Sequence, residues 1–398
     1  MHSGVASAIR RKSAVCKEKI MKDNSTALPR EVAQALEKVE VYYEKCVLWL
    51  AHMFDPATGG FHMSMSGVKD PAIEPAIEMT AWGVSMLHTY TGALASMPGK
   101  FREGIVNFIN DRQDPVTGMF IDRQGPANAR ETARNQAAAF RALSVMGAKP
   151  RYPHPRDTAK DTARTPVMPA YMESADSYIA WVAGMNWDHA SWSAGDQTQS
   201  SLQYVNMLDA AKQEEYKKVL FDWLADRQQE SGLWSPDMDF NAASGAFKVG
   251  LVYSACGLRL PNYDKIIDAV FRCYEVSKTT SPFFVRNPIS VLHQMAAYSP
   301  EAKAKIQAGI ISHIDAVTAS FGEFLCPDGA FSAGKGKSMV SFGGVAGSHG
   351  LYEGDIDATL MMLIARRTLY SIFDAPAPLL NTDDFWAWIY GKKPIPAL

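Results

Sequence analysis

The run Glu353-Gly-Asp-Ile-Asp357 stands where a helical pattern begins. Carboxyl groups at a helix entry, withdrawn from water, can give or take a proton, so Asp355 and Asp357 are the first candidates for acid chemistry. Asp355 has a competing role, because an Asp in that place caps the first helical turn and stabilises it by about 1 kcal/mol. If Asp355 caps, Asp357 is left for chemistry. His349, in Gly347-Ser-His-Gly350, and His189 titrate near neutral pH and are candidate general bases. Asp355, Asp357 and His349 together offer metal ligands, but their spacing matches no specific site, so no metal and no cofactor is expected.

Asn186-Trp-Asp-His-Ala-Ser-Trp-Ser-Ala-Gly-Asp196 sets Trp187, Trp192, His189 and Asp196 in a loop leading into a helix. Indole rings beside carboxylates suit sugar C–H faces; equally, such rings fill gaps between helices. Lys248, and Arg286 with Asn287, are cations and amides at the entries of small-residue helices, where burial demands an anionic partner from substrate or protein. Glu78, Arg134 and Asn135 hold similar places, with helix-dipole stabilisation as the alternative role for Glu78 and Asp196.

These residues need elements that bring them together. Four turns share a Gly-x-aromatic plan: Asp55 to Phe61, Gln113 to Phe120, Gln229 to Trp234, and Asp328 to Phe331. They recur roughly every 50–60 residues or twice that, as stacked two-helix units do. Before the turns lie amphipathic helices: one spanning 31–54, one with Tyr216, Val219, Leu220, Trp223 and Leu224 on its apolar face, one with Ile266, Ile267, Val270, Phe271 and Tyr274, and one with Ile306, Ile310, Ile314 and Val317. After them come helices rich in small residues at 78–92, 131–147, 197–210, 243–257, 288–298 and 355–373, several closing on glycine (Gly92, Gly147, Gly257). Six outer and six inner helices predict an all-α fold, an (α/α)6 toroid of six helical hairpins. A tail (1–30) precedes the toroid (31–375), and a C-terminal extension (376–398) packs on it. The proline-broken stretch 149–172 reads as a surface crossover or a lid. In such a ring the inner-helix N-termini line one mouth, which gathers Glu78, Arg134, Asn135, Asp196, Lys248, Arg286, Asn287, Asp355 and Asp357.

The turn Gln228 to Trp234 resembles the repeated turn of terpenoid cyclases, and Asp55 to Phe61 resembles the Gly-Gly-Phe turns of protein prenyltransferase catalytic subunits. Asp355-Ile-Asp-Ala-Thr359 resembles the DxDDT motif of class II terpene cyclases, a resemblance that implies Asp357 as the residue protonating an alkene or epoxide. Ala358 departs from that motif. Six-hairpin glycoside hydrolases, polysaccharide lyases and sugar epimerases are similar in helix number and length, so the resemblance is to a superfold.

The formal net charge is −2, with no basic field for nucleic acid. Five scattered cysteines suggest neither a disulfide framework nor structural zinc, and no run is long and apolar enough for a membrane span, so a cytoplasmic location is expected. Walker, GxGxxG, GxSxG and HExxH patterns are absent. The first expectation is an enzyme acting by acid/base chemistry on a carbohydrate or similar polyhydroxylated or anionic small molecule, by hydrolysis, elimination or epimerisation. Asp357 would be the acid and Asp196, Glu78 or His189 the base. The alternatives are a cyclase or isomerase protonating an isoprenoid-like substrate through Asp357, and a non-catalytic scaffold binding a ligand or peptide. Oligomeric state is not legible.

Overall fold

A computed structural model of the chain describes residues 28–125, 129–154 and 168–398, with backbone alone at 129–133. Residues 1–27 of the expected tail and 155–167 of the expected crossover or lid lie outside the described residues. The described residues are predominantly helical. In chain order the first hairpins comprise α1 (Arg30–Glu40), α2 (Cys46–Met53), α3 (Met65–Lys69) and α4 (Ile77–Met86), then α5 (Gly99–Asn110) and α6 (Ala129–Val145). Next come α7 (Ala175–Ala183), α8 (Ser191–Val205), α9 (Ala210–Arg227), α10 (Phe240–Ala255), α11 (Tyr263–Val276) and α12 (Pro282–Ala296). The last are α13 (Pro300–Ser312), α14 (Ile314–Gly322), a hairpin of β1 (Ser341–Phe342) and β2 (Val345–Ala346), α15 (Ile356–Ile372) and α16 (Phe385–Ile389).

The repeated turns work as their residues dictate. Gly59, Gly118, Gly232 and Gly329 have φ of 84°, 69°, 86° and 85°, a region that costs residues with a Cβ. In the first two turns an Asp fastens the loop: Asp55 accepts from Ala57 N and Thr58 Oγ1, and Asp114 from Val116 N and Thr117 N. The aromatic residues Phe61, Phe120, Trp234 and Phe331 are fully buried. Three of them then donate their backbone N–H to the helix that follows: Phe61 to Thr80 Oγ1, Phe120 to Gln136 Oε1 and Phe331 to Thr359 Oγ1. These three turns thereby tie to the small-residue helices that follow them.

Those helices pack on several sides. In α10, Phe240, Ala243, Gly245, Phe247, Val249 and Val252 are all buried, whereas α9 buries only Tyr216, Leu220 and Leu224, one stripe at i, i+4 and i+8. The small-residue helices meet in the succession α6, α4, α15, α12, α10, α8, so the first-hairpin helix α4 lies against the last, α15. α1 likewise packs on α14. The C-terminal residues dock on the early hairpins: α16 packs on α2, Trp386 meets Phe101 edge-on at 4.9 Å, and Leu380 N donates to Tyr90 O.

Several expected boundaries move. The helix expected over 31–54 is broken by a 3₁₀ turn at Val41–Tyr43, and the run Ile306 to Val317 is divided at His313. α8 and α12 begin nearly two turns earlier than expected, at Ser191 and Pro282; in α12 the Ser281 side chain caps the helix and Pro282 occupies its first position, leaving Pro288 in the interior. Asp196, Lys248, Arg286 and Asn287 therefore sit inside helices and not at their ends. The β1–β2 pairing was not expected; it is too short to alternate and turns on Gly343 and Gly344, both at positive φ.

Candidate functional site

Three polar anchors organise the entry of α15. The Asp355 side chain caps the helix, Oδ1 accepting from Ala358 N at 2.8 Å. Its Oδ2 accepts from Ala333 N at 2.9 Å and Met339 N at 3.1 Å. Glu353, buried, accepts from Ser66 N at 2.8 Å and Ser338 Oγ at 3.2 Å, which ties the first hairpin to the last. Backbone bonds from Asp355 N to Phe331 O and from Ile356 N to Met63 O complete the entry. Asp355 is fully buried; that burial outweighs its three N–H donors and pushes its carboxyl up to about 6.

Asp357, at the second position of α15, is only 2 % exposed, and its Oδ2 has no hydrogen-bond partner among the described residues. Burial above all, then the charges of Asp355 and Glu78, push its pKa well above the usual carboxylate range, against smaller pulls from Arg134 and Arg286. The direction of that shift favours the protonated carboxyl, the form in which Asp357 can donate a proton.

The groups around it come from neighbouring helices. Glu78, at the second position of α4, pairs with Arg134 of α6 at 3.0 Å, and the Arg134 guanidinium lies over the Phe342 ring at 4.0 Å. Phe342 meets Trp82 edge-on at 4.7 Å, so the β hairpin sets an aromatic ring beside this ion pair. Asn135 shares a small pocket with Glu78, Met79, Asp122 and Phe342. From α12, Arg286 lies over the Phe247 ring at 4.4 Å and donates from Nη1 to Asn287 Oδ1 at 3.0 Å. Burial lowers the Arg286 pKa to about 10, against the raising charges of Tyr90 and Asp357, so it stays cationic at neutral pH.

The other expected residues fall elsewhere. Asp196 and Lys248 form an ion pair at 2.6 Å across α8 and α10. Trp187 is buried against Trp223 with its Nε1 donating to Val182 O, which makes it a core ring and not a substrate platform. Trp192 packs between Phe283 and Phe284. The His189 side chain is 72 % exposed and bonded at 3.0 Å to Asp237, which raises its pKa. His349 is half exposed and paired with Asp70 at 2.9 Å. Among the described residues no group of three or more His, Cys, Asp or Glu is placed to hold a metal ion, and no helix is long and apolar enough to cross a membrane.

Sequence reasoning missed Glu353, Asp122 and Phe342. Asp122 accepts from Ile77 N with both oxygens, at 3.0 and 3.1 Å, so it caps α4 from the neighbouring turn; burial pushes it up to about 6. Its one signal is position, two residues after the turn aromatic Phe120. A separate open cleft of about 660 Å³, lined by His52, Asp55, His62, Asp70 and Arg112 among others, holds none of the expected site residues.

No family model, curated protein or solved structure matches the chain.

Proposed function

We propose that the chain is a Brønsted-acid enzyme, a cyclase or isomerase of an isoprenoid-like small molecule, with Asp357 as the proton donor and its six hairpins closed as an (α/α)6 toroid. The observation that carries this is the contrast at the start of α15: Asp355 is engaged by three backbone N–H groups, whereas Asp357 is buried, without a hydrogen-bond partner at Oδ2 among the described residues, and shifted toward its protonated form. The contact of α4 with α15 supports ring closure, because it joins the first hairpin to the last. Phe342, Trp82 and Phe247 support an aromatic surround. Lys248 and Arg134 would oppose an apolar cavity as bare cations, but each is matched by a carboxylate, Asp196 and Glu78. Proton transfer from Asp357 to the substrate, rearrangement of the resulting cation, and loss of a proton from carbon conserve mass and need no cofactor. A buried carboxyl with a free oxygen also weighs against a purely binding scaffold, which would engage its carboxylates as caps.

Hydrolysis, elimination or epimerisation of a carbohydrate is the second proposal. Glu78 favours it, since its charge reaches Asp357 and it would supply the second carboxylate. Against it stand the core position of Trp187 and the exposure of His189. Incubating the full chain with linear polyprenols and their epoxides, and separately with aryl glycosides, distinguishes the two. A product of unchanged mass from the isoprenoid set, falling at least about 100-fold in Asp357→Asn, is expected; turnover of glycosides alone would transfer the assignment to the second proposal.

A further inference from the structure

Nine buried side-chain nitrogen and oxygen atoms lack a hydrogen-bond partner among the described residues, and three of them belong to one neighbourhood: Asp357 Oδ2, Arg286 Nε and Asn287 Nδ2. Arg286 and Asn287 are bonded to each other, the charge of Arg286 acts on Asp357, and α12 packs directly on α15. A guanidinium only donates, so the amide must present its oxygen to Arg286 and is left with its N–H groups unspent. Asn287 is 1 % exposed, where an unmade hydrogen bond is expensive.

All three loose ends are donors. Arg286 Nε and Asn287 Nδ2 carry N–H groups, and the Asp357 carboxyl carries O–H. A carbon–carbon double bond can take the proton but cannot satisfy the N–H donors. Moreover, a cation formed at that carbon would sit beside the fixed charge of Arg286. An oxygen atom meets both requirements, taking the proton on one lone pair, one N–H on the other, and the second N–H on the pair released to it when its C–O bond breaks.

We propose that Arg286 Nε and Asn287 Nδ2 form a cradle that seats an oxygen atom of the substrate, the atom to which Asp357 delivers its proton. The substrate class is thereby narrowed to molecules whose reacting end is an epoxide, ether or carbonyl. For an epoxide or ether, the Asp357 O–H bond breaks as the new O–H bond forms. The C–O bond then breaks with its electron pair remaining on oxygen, the positive charge passes to carbon one bond further from Arg286, and the Asp357 carboxylate is left facing that guanidinium. Loss of a proton from carbon to solvent discharges the cation, and a proton from solvent restores the Asp357 carboxyl.

The cradle rests on the assignment of Asp357 as the acid, and one experiment separates the two. The infrared carbonyl band of the protonated Asp357 carboxyl, identified by its loss in Asp357→Asn, is followed in the full chain during titration with dimethyl sulfoxide. Dimethyl sulfide, the same frame without oxygen, serves as the matched probe. We expect a saturable shift with the sulfoxide alone, and a half-saturation concentration raised about tenfold in Asn287→Leu and in Arg286→Met, the loss of one hydrogen bond. Thermal melts establish that each variant is folded, and either one suffices. A band present but indifferent to the sulfoxide, moved equally by the sulfide, or shifted as in wild type in the folded variants, would overturn the cradle and leave the acid standing. No band in wild type would remove the acid, and the cradle with it.

Discussion

Asp355 and Asp357 stand two positions apart at the entry of one helix and face opposite demands: the first receives three backbone N–H bonds, while the second holds a buried oxygen with no partner among the described residues. Asp355 is the cap, with extended backbone, whereas Asp357 lies inside the first helical turn, so the two side chains leave different backbone geometries. A cap and a proton donor can therefore share one turn, each in its own surroundings.

Folding and proton binding are linked at this site. Asp355 and Asp122, pushed to about 6, and Asp357, pushed further, hold protons more tightly folded than unfolded. Below the ordinary carboxylate pKa both states are protonated and nothing is lost. As pH rises the unfolded chain ionises first, so native stability falls until each folded pKa is passed. Asp357→Asn removes the Asp357 contribution. Its stability relative to wild type should grow as pH rises above about 4, by up to about 1.4 kcal/mol per pH unit. Urea unfolding across that range reads the slope, and a flat difference would contradict the buried neutral carboxyl.

Asp355→Ala should act on the fold. It removes the cap of α15 and leaves the N–H groups of Ala333 and Met339 without their acceptor. A loss of about 2–4 kcal/mol is expected at neutral pH, measured by thermal melting. A variant as stable as wild type would show that the loop ahead of α15 is held by other contacts.

Charge changes around Asp357 should move the pH profile in opposite directions. Activity needs the protonated acid, so it falls as pH rises through the Asp357 pKa. Glu78→Gln removes a charge that raises that pKa, so the falling limb moves to lower pH. Arg286→Met removes a charge that lowers it, so the limb moves higher. Rate profiles of kcat/KM for the two variants test the opposition; shifts of the same sign would place the titrating group elsewhere.

The repeated turns make a prediction about stability alone. An added Cβ at Gly59 would lie 2.4 Å from Gly104 O, whereas at Gly147 it would meet nothing within 4 Å, although both have positive φ. Gly147→Ala should cost about 1 kcal/mol from backbone strain, and Gly59→Ala about 3 kcal/mol. Equal costs would mean that the first turn relaxes freely.

The hairpin plan was legible because it rests on local chemistry: a positive-φ glycine, an aromatic that must be buried, and apolar stripes at helical spacing. Helix entries were less so, since Pro288 reads as a first-turn residue but lies inside α12, and with that shift Arg286 and Asn287 move from the helix end into its body. Asp357 was legible as the carboxyl left over once Asp355 caps. The contributions of Asp122 and Glu353 were not, because each serves a helix or loop far away in sequence, Asp122 capping α4 and Glu353 holding Ser66. The Trp-rich segment stayed open in the sequence because a Trp on a loop looks the same whether its ring meets ligand or, as with Trp187, meets Trp223.

The most direct measurement is the protonation state of Asp357 itself, by ¹³C NMR of the carboxyl carbons in aspartate-labelled protein, assigned by the signal missing in Asp357→Asn. The account predicts a carbon that retains the shift of a neutral acid at about pH 7 and titrates only well above the ordinary Asp value of about 3.9. A carbon already titrated by about pH 5 would contradict it.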